Sequence, residues 1–357
     1  MRRNLLLACL AAAILAVAYA GTALAGAPPN ASLAGPTRGG LDLALPYMQT
    51  GRGAAMGGAT VALDGSDTQN PAALGFMKGV VSFSAGYGST SYDDGPDVAM
   101  YNSQIVFPMP FLGGTSKIMG YHMKTTDRDA SRMMGGMEAE VWATQYGIAY
   151  GRQIPLRGLI PGKLAIGFAG YPNDPSQVWL RDGTGATVAH GRGMSKIGSM
   201  RLGFLYKPTD LINIGGDFSH IKDHLYATYA AFPGIRYESN YHVNIYTIGA
   251  AARLGHRGLL GRTTITAQYL GGHANGQGVD QAYVVMGGGI EHRIPITEVI
   301  NIMLRSGYYA HSPTYGFGLT LPYRLTLDYA YVPNYGNNLA KAFGHGALHS
   351  VCVTKGF

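Results

Sequence analysis

The sequence predicts an all-β protein, a transmembrane antiparallel barrel of about fourteen strands with an N-terminal plug. First, residues 315–332 alternate between apolar and polar side chains, which is the period of a strand with two different faces. Second, charged residues make up only 13% of the chain, about half the ~25% of soluble domains. Third, beyond the N-terminus the sequence has no apolar run of the roughly 18 residues that a spanning helix needs. Among membrane architectures a closed barrel therefore remains.

The side chains on the two faces of this alternating stretch indicate which face points to the lumen and which to lipid. Arg324 and Asp328 fall on the polar face, whereas Tyr329 and Tyr331 flank the apolar one, as in the aromatic girdle of a lipid-facing surface. We therefore predict that the polar face is the lumen wall, lined by Arg305, Arg324 and Asp328. Ion pairs and hydrogen bonds along the wall explain these residues better than a catalytic pair does.

The last eleven residues keep the same alternation and end on Phe357. This is the form of the closing strand of an outer-membrane barrel. We predict that Phe357 is the signal read by the barrel assembly machinery. Lys355 departs from the pattern, because closing strands usually carry Tyr or another apolar residue at that position.

The N-terminus has the features of an export signal. Arg2 and Arg3 precede an apolar stretch, and Ala23-Leu-Ala25 is a small-x-small cleavage motif. The predicted divisions are a signal peptide at 1–25, a plug at 26–78 and an outer-membrane barrel at 79–357. Without the signal, Cys352 is the only cysteine, so no internal disulfide is expected. The predicted location is the outer membrane of a Gram-negative bacterium.

Other classes of function find little support in the sequence. The formal charge of +7 comes from scattered basic residues, so we expect no nucleic-acid partner. His220 and His224 are four residues apart, but on a strand this spacing does not converge on a metal. No Ser-His-Asp set has a recognisable sequence context. We therefore expect no enzyme activity, no metal and no cofactor.

The predicted plug is rich in turn residues and has no alternating stretch long enough for a barrel strand. Its glycines fit neither a dinucleotide-binding loop nor a P-loop, and close backbone packing inside a barrel explains them better. Asn favours the start of a turn and Pro fixes the next φ. The residues assigned to this motif are Gly51, Gly53, Gly57, Gly58, Asn70, Pro71 and Ala72.

Short and long connections alternate along the rest of the chain, as expected for periplasmic turns and extracellular loops. The predicted strands are 80–88, 97–107, 116–124, 141–151, 162–171, 196–207, 211–221, 242–254, 262–271, 281–293, 299–310, 314–321, 325–332 and 347–357. The predicted long connections are 125–140, 172–195, 222–240 and 333–346.

Methionines are concentrated near the first of these long connections. Met119 and Met123 belong to an apolar strand face for which lipid contact is the simpler explanation. Met133, Met134 and Met137 lie within the connection, where flexible thioethers suit apolar ligands of many shapes. We treat these three as a candidate substrate surface.

The plug motif resembles the N-terminal hatch of the FadL/TodX family of outer-membrane transporters for hydrophobic compounds. Residues 51–62, followed by Asn70-Pro-Ala, are similar to that hatch, and residues 206–215 are similar to the family's periplasmic hairpins. Residues 327–333 and 349–357 are closer to the related PorV-like branch. The sequence departs from the family at Lys355 and before Asn70, where the family has an aromatic residue.

The resemblance implies a channel for passive uptake of fatty-acid-like or aromatic-like compounds, with lipid and a hydrophobic ligand as partners. The PorV-like alternative implies a barrel that acts as a partner or shuttle in protein secretion or surface attachment. Its partner would be a secreted protein or a secretion component.

Overall fold

The computed structural model of the protein describes residues 51–77, 79–93, 97–127, 138–156, 161–171, 175–181, 184, 186–194, 199–229, 232–255, 261–276, 279–309, 312–333 and 346–357. These residues form one short helix, α1 (Gly51–Ala55), and sixteen strands in one sheet. The strands are β1 Ser82–Tyr92, β2 Asp97–Met109, β3 Gly114–Asp127, β4 Glu138–Ile154, β5 Lys163–Tyr171, β6 Pro175–Arg181, β7 Thr187–Met194, β8 Ser199–Lys207, β9 Ile212–Tyr229, β10 Phe232–Leu254, β11 Arg262–Gly276, β12 Val279–Pro295, β13 Asn301–Tyr309, β14 Ser312–Leu321, β15 Leu325–Val332 and β16 Gly346–Gly356.

The sheet closes on itself, and every pairing in it is antiparallel. β16 pairs with β1, and β9 pairs with β10, so the strand order has no free edge. β5 and β6 pair with successive parts of β4, and β7 and β8 pair with successive parts of β9. β5–β6 and β7–β8 are therefore two interrupted strands. The structure confirms the predicted fold class, a closed barrel of 14 strands.

The barrel has one end with short connections, which we call the turn end. It includes residues 208–211 and 296–300 and two 3₁₀ helices, Pro110–Leu112 and Pro322–Arg324. The opposite end is the hairpin end. Among the described residues no helix is both long and apolar enough to cross a membrane.

Strands extend further toward the hairpin end than the sequence predicted. β6 and β7 lie inside the predicted connection 172–195, and β9 and β10 have 18 and 23 residues and run through most of 222–240. A membrane-spanning strand needs only about 9–11 residues. Beyond that length the ladder still satisfies backbone groups, but lipid no longer imposes an apolar face, so the alternation that identifies a strand fades.

Inner and outer faces alternate along each strand. Leu304, Tyr315 and Phe317 are exposed on the outside. Arg305 and Asp328 are buried on the inside, at 5% and 9% exposure. On these strands, Arg305 and Asp328 are therefore directed into the barrel, while the aliphatic and aromatic side chains named here lie on its outer surface.

Arg324 does not line the wall, and this prediction was wrong. It lies exposed in the turn-end 3₁₀ helix, where Tyr323 and Arg324 have φ values of 61° and 57°. These left-handed conformations take both residues out of the strand, so the alternation starts afresh at Leu325. The Arg324 guanidinium instead donates to the carbonyl of Phe357 at 3.1 Å.

Candidate functional site

Residues 51–77, which we call the lumen segment, lie inside the closed sheet. α1 contacts β13 to β16, and the 3₁₀ helix Pro71–Phe76 contacts β3, β4, β5 and β8 on the other side of the barrel. Ala54, Met56 and Leu74 have at most 1% exposure. The predicted plug, 26–78, extends past the described residues, so only this part of it is placed, and its role as a plug stays a prediction.

Glycines on the inner face bring the wall close to the backbone of the lumen segment. At each of eight positions, an added Cβ would lie within 2.5 Å of a segment atom, closer than real Cβ atoms come. These positions are Gly151 and Gly167 against Pro71, Gly203 against Asn70, Gly215 against Val61, Gly287 and Gly307 against Gly57, Gly289 against Met56 and Gly316 against Ala55. The high glycine content of the strands thus has a local cause, since larger residues here would displace the segment.

Polar side chains of the wall bind the segment's backbone. The contacts are Thr314 to the carbonyl of Ala55 at 2.9 Å, Thr266 to Ala59 at 2.8 Å, Asn213 to Ala62 at 2.9 Å, Lys117 to Thr68 at 3.2 Å and Thr115 to Met77 at 3.1 Å. Conversely, the amide of Val61 donates to Gln268 Oε1 at 3.1 Å. Buried backbone groups need such partners, so the wall is chemically matched to this irregular segment.

Asn70 holds the turn that leads into the 3₁₀ helix. Its Oδ1 accepts from the amide of Ala72 at 3.0 Å, and Pro71 occupies the first helical position, where its missing N–H costs nothing. Its Nδ2 donates to the carbonyls of Val61 and Phe204, both at 2.8 Å. One amide therefore ties together two parts of the segment and the wall strand β8.

Replacing Asn70 should loosen this turn by about 2 kcal/mol, because two buried carbonyls and one amide lose their partner. We expect Asn70→Asp to be no better than Asn70→Ala, since a carboxylate keeps the Ala72 contact but repels the carbonyls of Val61 and Phe204. Protease susceptibility of the segment and denaturant unfolding would measure both changes. Full recovery in Asn70→Asp would show that only the cap matters.

A chain of ion pairs joins the lumen segment to the wall. Arg52 Nη1 lies 3.1 Å from Asp67 Oδ2, and Arg52 binds both carboxylate oxygens of Glu291, at 2.9 and 3.1 Å. Glu291 also accepts from Arg305 Nε at 2.8 Å, and Arg305 Nη1 reaches Asp328 Oδ1 at 2.7 Å. Each buried charge therefore has an opposite charge beside it, as buried ion pairs require.

Arg52, at the centre of this chain, is held in its charged form by its two carboxylate neighbours. Burial acts to lower the pKa of its guanidinium, but the neighbouring carboxylates of Glu291 and Asp67 outweigh burial and raise the pKa above its ordinary value. The side chain is cationic at any physiological pH.

A second group of charges lies nearer the turn end. Asp64 of the lumen segment accepts from Lys207 Nζ at 2.6 Å and from Asn213 Nδ2 at 3.0 Å, and it also contacts Arg253. The side chains come from β8, β9 and β10. Asp64 therefore fixes the segment to three adjacent strands.

The inner face changes character toward the hairpin end. There, a set of buried apolar side chains faces inward, with small hydroxyls such as Thr90 between them. We call this set the apolar zone: Tyr92, Val98, Met100, Val243, Ile245, Leu270, Tyr309, Val332 and Leu348. From the sequence we predicted that the polar face of the strands lines the lumen, and the apolar zone departs from that pattern. Where the wall meets the lumen segment, the inner face carries the charged and hydrogen-bonding side chains described above, and we call this part of the wall the polar zone.

A cavity of about 10 Å³ lies where the polar and apolar zones meet. It is roughly large enough for one water. Its lining combines Thr60, Val61 and Gln69 of the segment with Arg201, Asp217, Ile245, Thr247, Gln268 and Leu270 of the wall. Arg201 binds Gln69 Oε1 at 2.6 Å and Ser219 Oγ at 2.6 Å, which fixes its position at this boundary.

The remaining predicted residues are distributed as follows. Gly51 and Gly53 lie in α1, and Gly57 and Gly58 follow it with φ values of 62° and 69°, which favour glycine. Phe357 is exposed and its amide donates to the carbonyl of Val81 at 2.8 Å. Its role in assembly stays a prediction. Met133, Met134 and Met137 lie outside the described residues.

The structure explains why a charged residue, Lys355, is tolerated on the outer face of the closing strand. Its ammonium donates to the carbonyl of Tyr323 and lies 5.6 Å from that ring and 5.7 Å from the ring of Phe357. The charge therefore reaches the turn end while the aliphatic part stays on the outer face, as lysines do at lipid boundaries.

Several residues of the site were missed from the sequence, above all Glu291 and Asp64. Glu291 alternates in phase with Gly289 and Gly287 on a strand that was correctly predicted, so its inward direction could have been found. Its partner Arg52 on the lumen segment could not have been found in this way, because an irregular segment has no repeating pattern that shows where its side chains point. Within the described ranges, no group of three or more His, Cys, Asp and Glu residues is arranged to hold a metal ion.

The fold resembles those of two solved structures, a toluene transporter and a FadL homologue. No protein-family model matches the chain, and no curated protein matches its sequence. The toluene transporter TbuX of Ralstonia pickettii superposes with a TM-score of 0.55 at 12% identity, over 87% of this chain and 98% of that one. A FadL homologue of Pseudomonas aeruginosa gives 0.54 at 11% identity, over 86% and 98%. The chain therefore shares the fold of these two barrels, as the resemblance of its sequence motifs had implied.

Proposed function

We propose that the protein is a channel of the Gram-negative outer membrane that lets hydrophobic small molecules enter passively. In this proposal the turn end faces the periplasm and the hairpin end faces outside. The barrel acts by binding and releasing solutes and not as an enzyme. Such a channel is useful because the polar outer leaflet and the water-filled lumen of a porin both disfavour apolar solutes.

The observation that carries the proposal is the division of the inner face. A general porin has a polar lumen. Here the apolar zone, which includes Val243, Ile245 and Leu270, is directed into the barrel and not toward lipid. Burial of apolar surface contributes about 25 cal/mol per Å², so a solute that enters between these side chains would be held by the burial of its own apolar surface. The fold of a toluene transporter supports the same assignment.

The lumen segment supplies the second requirement, which is exclusion of polar solutes. A fourteen-stranded barrel is wide enough to leak small polar solutes unless its lumen is filled. Residues 51–77 fill the polar zone through glycine contacts, backbone hydrogen bonds and ion pairs. We infer that the predicted plug, residues 26–78, keeps the channel closed to such solutes.

The apolar zone can be tested with two variants of nearly equal shape. Ile245→Thr and Ile245→Val remove similar volume, but only Thr adds a hydroxyl to the zone. We expect Ile245→Thr to slow entry of an alkyl aromatic into proteoliposomes by about fivefold more than Ile245→Val, which corresponds to roughly 1 kcal/mol for a hydroxyl in an apolar site. Equal rates in the two variants would argue against solute contact with this zone.

The proposed orientation can be tested on intact cells. An epitope tag inserted at Gly135 or Gly183 should be reached by antibody, and a tag at Pro208, in a turn of the turn end, should not. Lysed cells provide the control that every tag is present. Surface labelling of a tag at Pro208 would show that the turn end faces outside, contrary to the proposed orientation.

The PorV-like partner role makes a different prediction. A barrel that serves protein secretion would lose a protein interaction when its lumen segment is altered, with no change in hydrophobic uptake. The structure offers no observation that favours this alternative, and the apolar zone favours transport.

A further inference from the structure

Two pairs of like charges lie directly opposite each other on the inner face at the turn end. Lys163 is the register partner of Lys207 between β5 and β8, and Arg262 is the register partner of Arg293 between β11 and β12. Like charges in this position destabilise an antiparallel pair. Each pair therefore needs a neighbouring anion to become favourable.

The lysine pair has its anions within the chain. Lys207 Nζ lies 2.6 Å from Asp64 Oδ2, and Lys163 Nζ lies 3.9 Å from Asp210 Oδ1 in the adjacent turn. One carboxylate is therefore available to each ammonium group.

The arginine pair has none among the residues that the structure describes. Arg293 Nη2 has a weak sulfur contact with Met303 at 3.7 Å. Arg293 is attracted by the charge of Glu291, but within those ranges neither Arg262 nor Arg293 lies within ion-pair distance of a carboxylate. Glu291, the carboxylate next to them on the inner face, is already bound by Arg52 and Arg305. Two guanidinium groups that repel each other are thus left without a carboxylate of their own.

A third guanidinium increases the excess of charge. Arg253 contacts Asp64, but Asp64 also binds Lys207, so two cations share one carboxylate. Arg262 and Arg293 are both close enough to Arg253 to repel it. We call Arg253, Arg262 and Arg293 the basic cluster. Arg293 is exposed and Arg262 is half-buried, so the cluster can be reached from solvent at the turn end.

We propose that the basic cluster is a binding site for a divalent oxyanion of the phosphate type. The guanidinium fork matches the oxygen geometry of phosphate and binds it through paired, charge-assisted hydrogen bonds. A dianion would relieve the repulsion between Arg262 and Arg293. It would also balance the excess positive charge at Arg253, which shares the carboxylate of Asp64 with Lys207. The inner face is not in contact with lipid, so the ligand is free phosphate or a small phosphate ester. This site does not depend on what else passes through the barrel.

Binding should be measured on the full-length barrel in a nonionic detergent at constant ionic strength. The probes are inorganic phosphate and phenyl phosphate, titrated calorimetrically against a chloride background. We expect saturable binding of one anion per barrel, and the tighter of the two probes identifies free phosphate or an ester as the better ligand. Arg262→Gln should weaken binding by about tenfold or more, the usual loss for a hydrogen bond to a charged group.

Arg324→Gln is the matched control, because Arg324 is an exposed arginine of the same end that lies outside the lumen. Its affinity for either probe should stay within about twofold of the parent. Thermal unfolding provides a second readout that does not need tight binding. Without phosphate, Arg262→Gln should be at least as stable as the parent, because a repulsion is removed. With phosphate, only the parent and the control should gain stability.

Three results would overturn the site. One is the absence of saturable binding with both probes. Another is equal stabilisation by chloride and phosphate at matched ionic strength, which would mean general screening. The third is equal affinity in the parent and in Arg262→Gln.

Discussion

Deleting residues 26–77 is expected to open the barrel to small polar solutes. The lumen segment fills the polar zone, and the wall glycines that contact it would leave a wide polar passage if it were removed. Conductance in planar bilayers should rise well above that of the full-length protein, and liposomes should swell in small sugars. Uptake of a hydrophobic solute should fall at the same time, because the passage becomes water-filled.

The two readouts together separate this outcome from misfolding, which would abolish both activities. A milder variant, Asn70-Pro71→Ala-Ala, keeps the chain length and should shift both readouts in the same directions by less. If the deleted barrel inserts and still shows the conductance of the parent, residues 26–77 are not what closes the channel.

Glu291→Ala is expected to destabilise the barrel by about 3–5 kcal/mol. Glu291 is shared by Arg52 and Arg305, so its removal leaves two guanidinium groups in the barrel interior short of a carboxylate. Equilibrium unfolding in denaturant, with lipid vesicles present, would measure the change. The segment should also become accessible to protease, because Arg52 is its link to β12.

Asp210→Ala is the control, since this carboxylate is 94% exposed in its side chain and its pair with Lys163 should contribute below about 0.5 kcal/mol. Glu291→Gln should fall between the two, because the amide keeps one acceptor but not the charge. A loss for Glu291→Ala no larger than that for Asp210→Ala would mean that the ion-pair chain does not stabilise the fold.

The strands were predictable because lipid imposes a period on them. β15 was predicted as 325–332 and is observed as Leu325–Val332, and the closing strand differs by one residue at each end. The parts of β9 and β10 that extend beyond the length needed to cross a membrane were not predicted as strands. The placement of Arg324 on the lumen wall was wrong for a related reason. The turn's two positive φ values interrupt the strand without changing the apparent alternation.

The candidate site was predictable only in part. The Asn70-Pro71 turn has a local signal, because an Asx cap and a proline act on their own neighbours. The Asp67–Arg52–Glu291 chain has no such signal, since residues 52 and 291 are joined only when the barrel closes around the segment. The apolar zone could not be predicted from the sequence, for a different reason. On strands whose outer face is also apolar, inward apolar residues such as Ile245 and Leu270 remove the alternation that reveals direction.

Passage of an apolar solute through purified protein in liposomes is the most direct test of hydrophobic transport. We expect the full-length barrel to bind a long-chain fatty acid or an alkyl aromatic and to pass it faster than empty liposomes do, while excluding small sugars. If the barrel neither binds such a solute nor passes one faster than empty liposomes, with or without residues 26–77, hydrophobic transport is contradicted and the partner role in secretion takes its place.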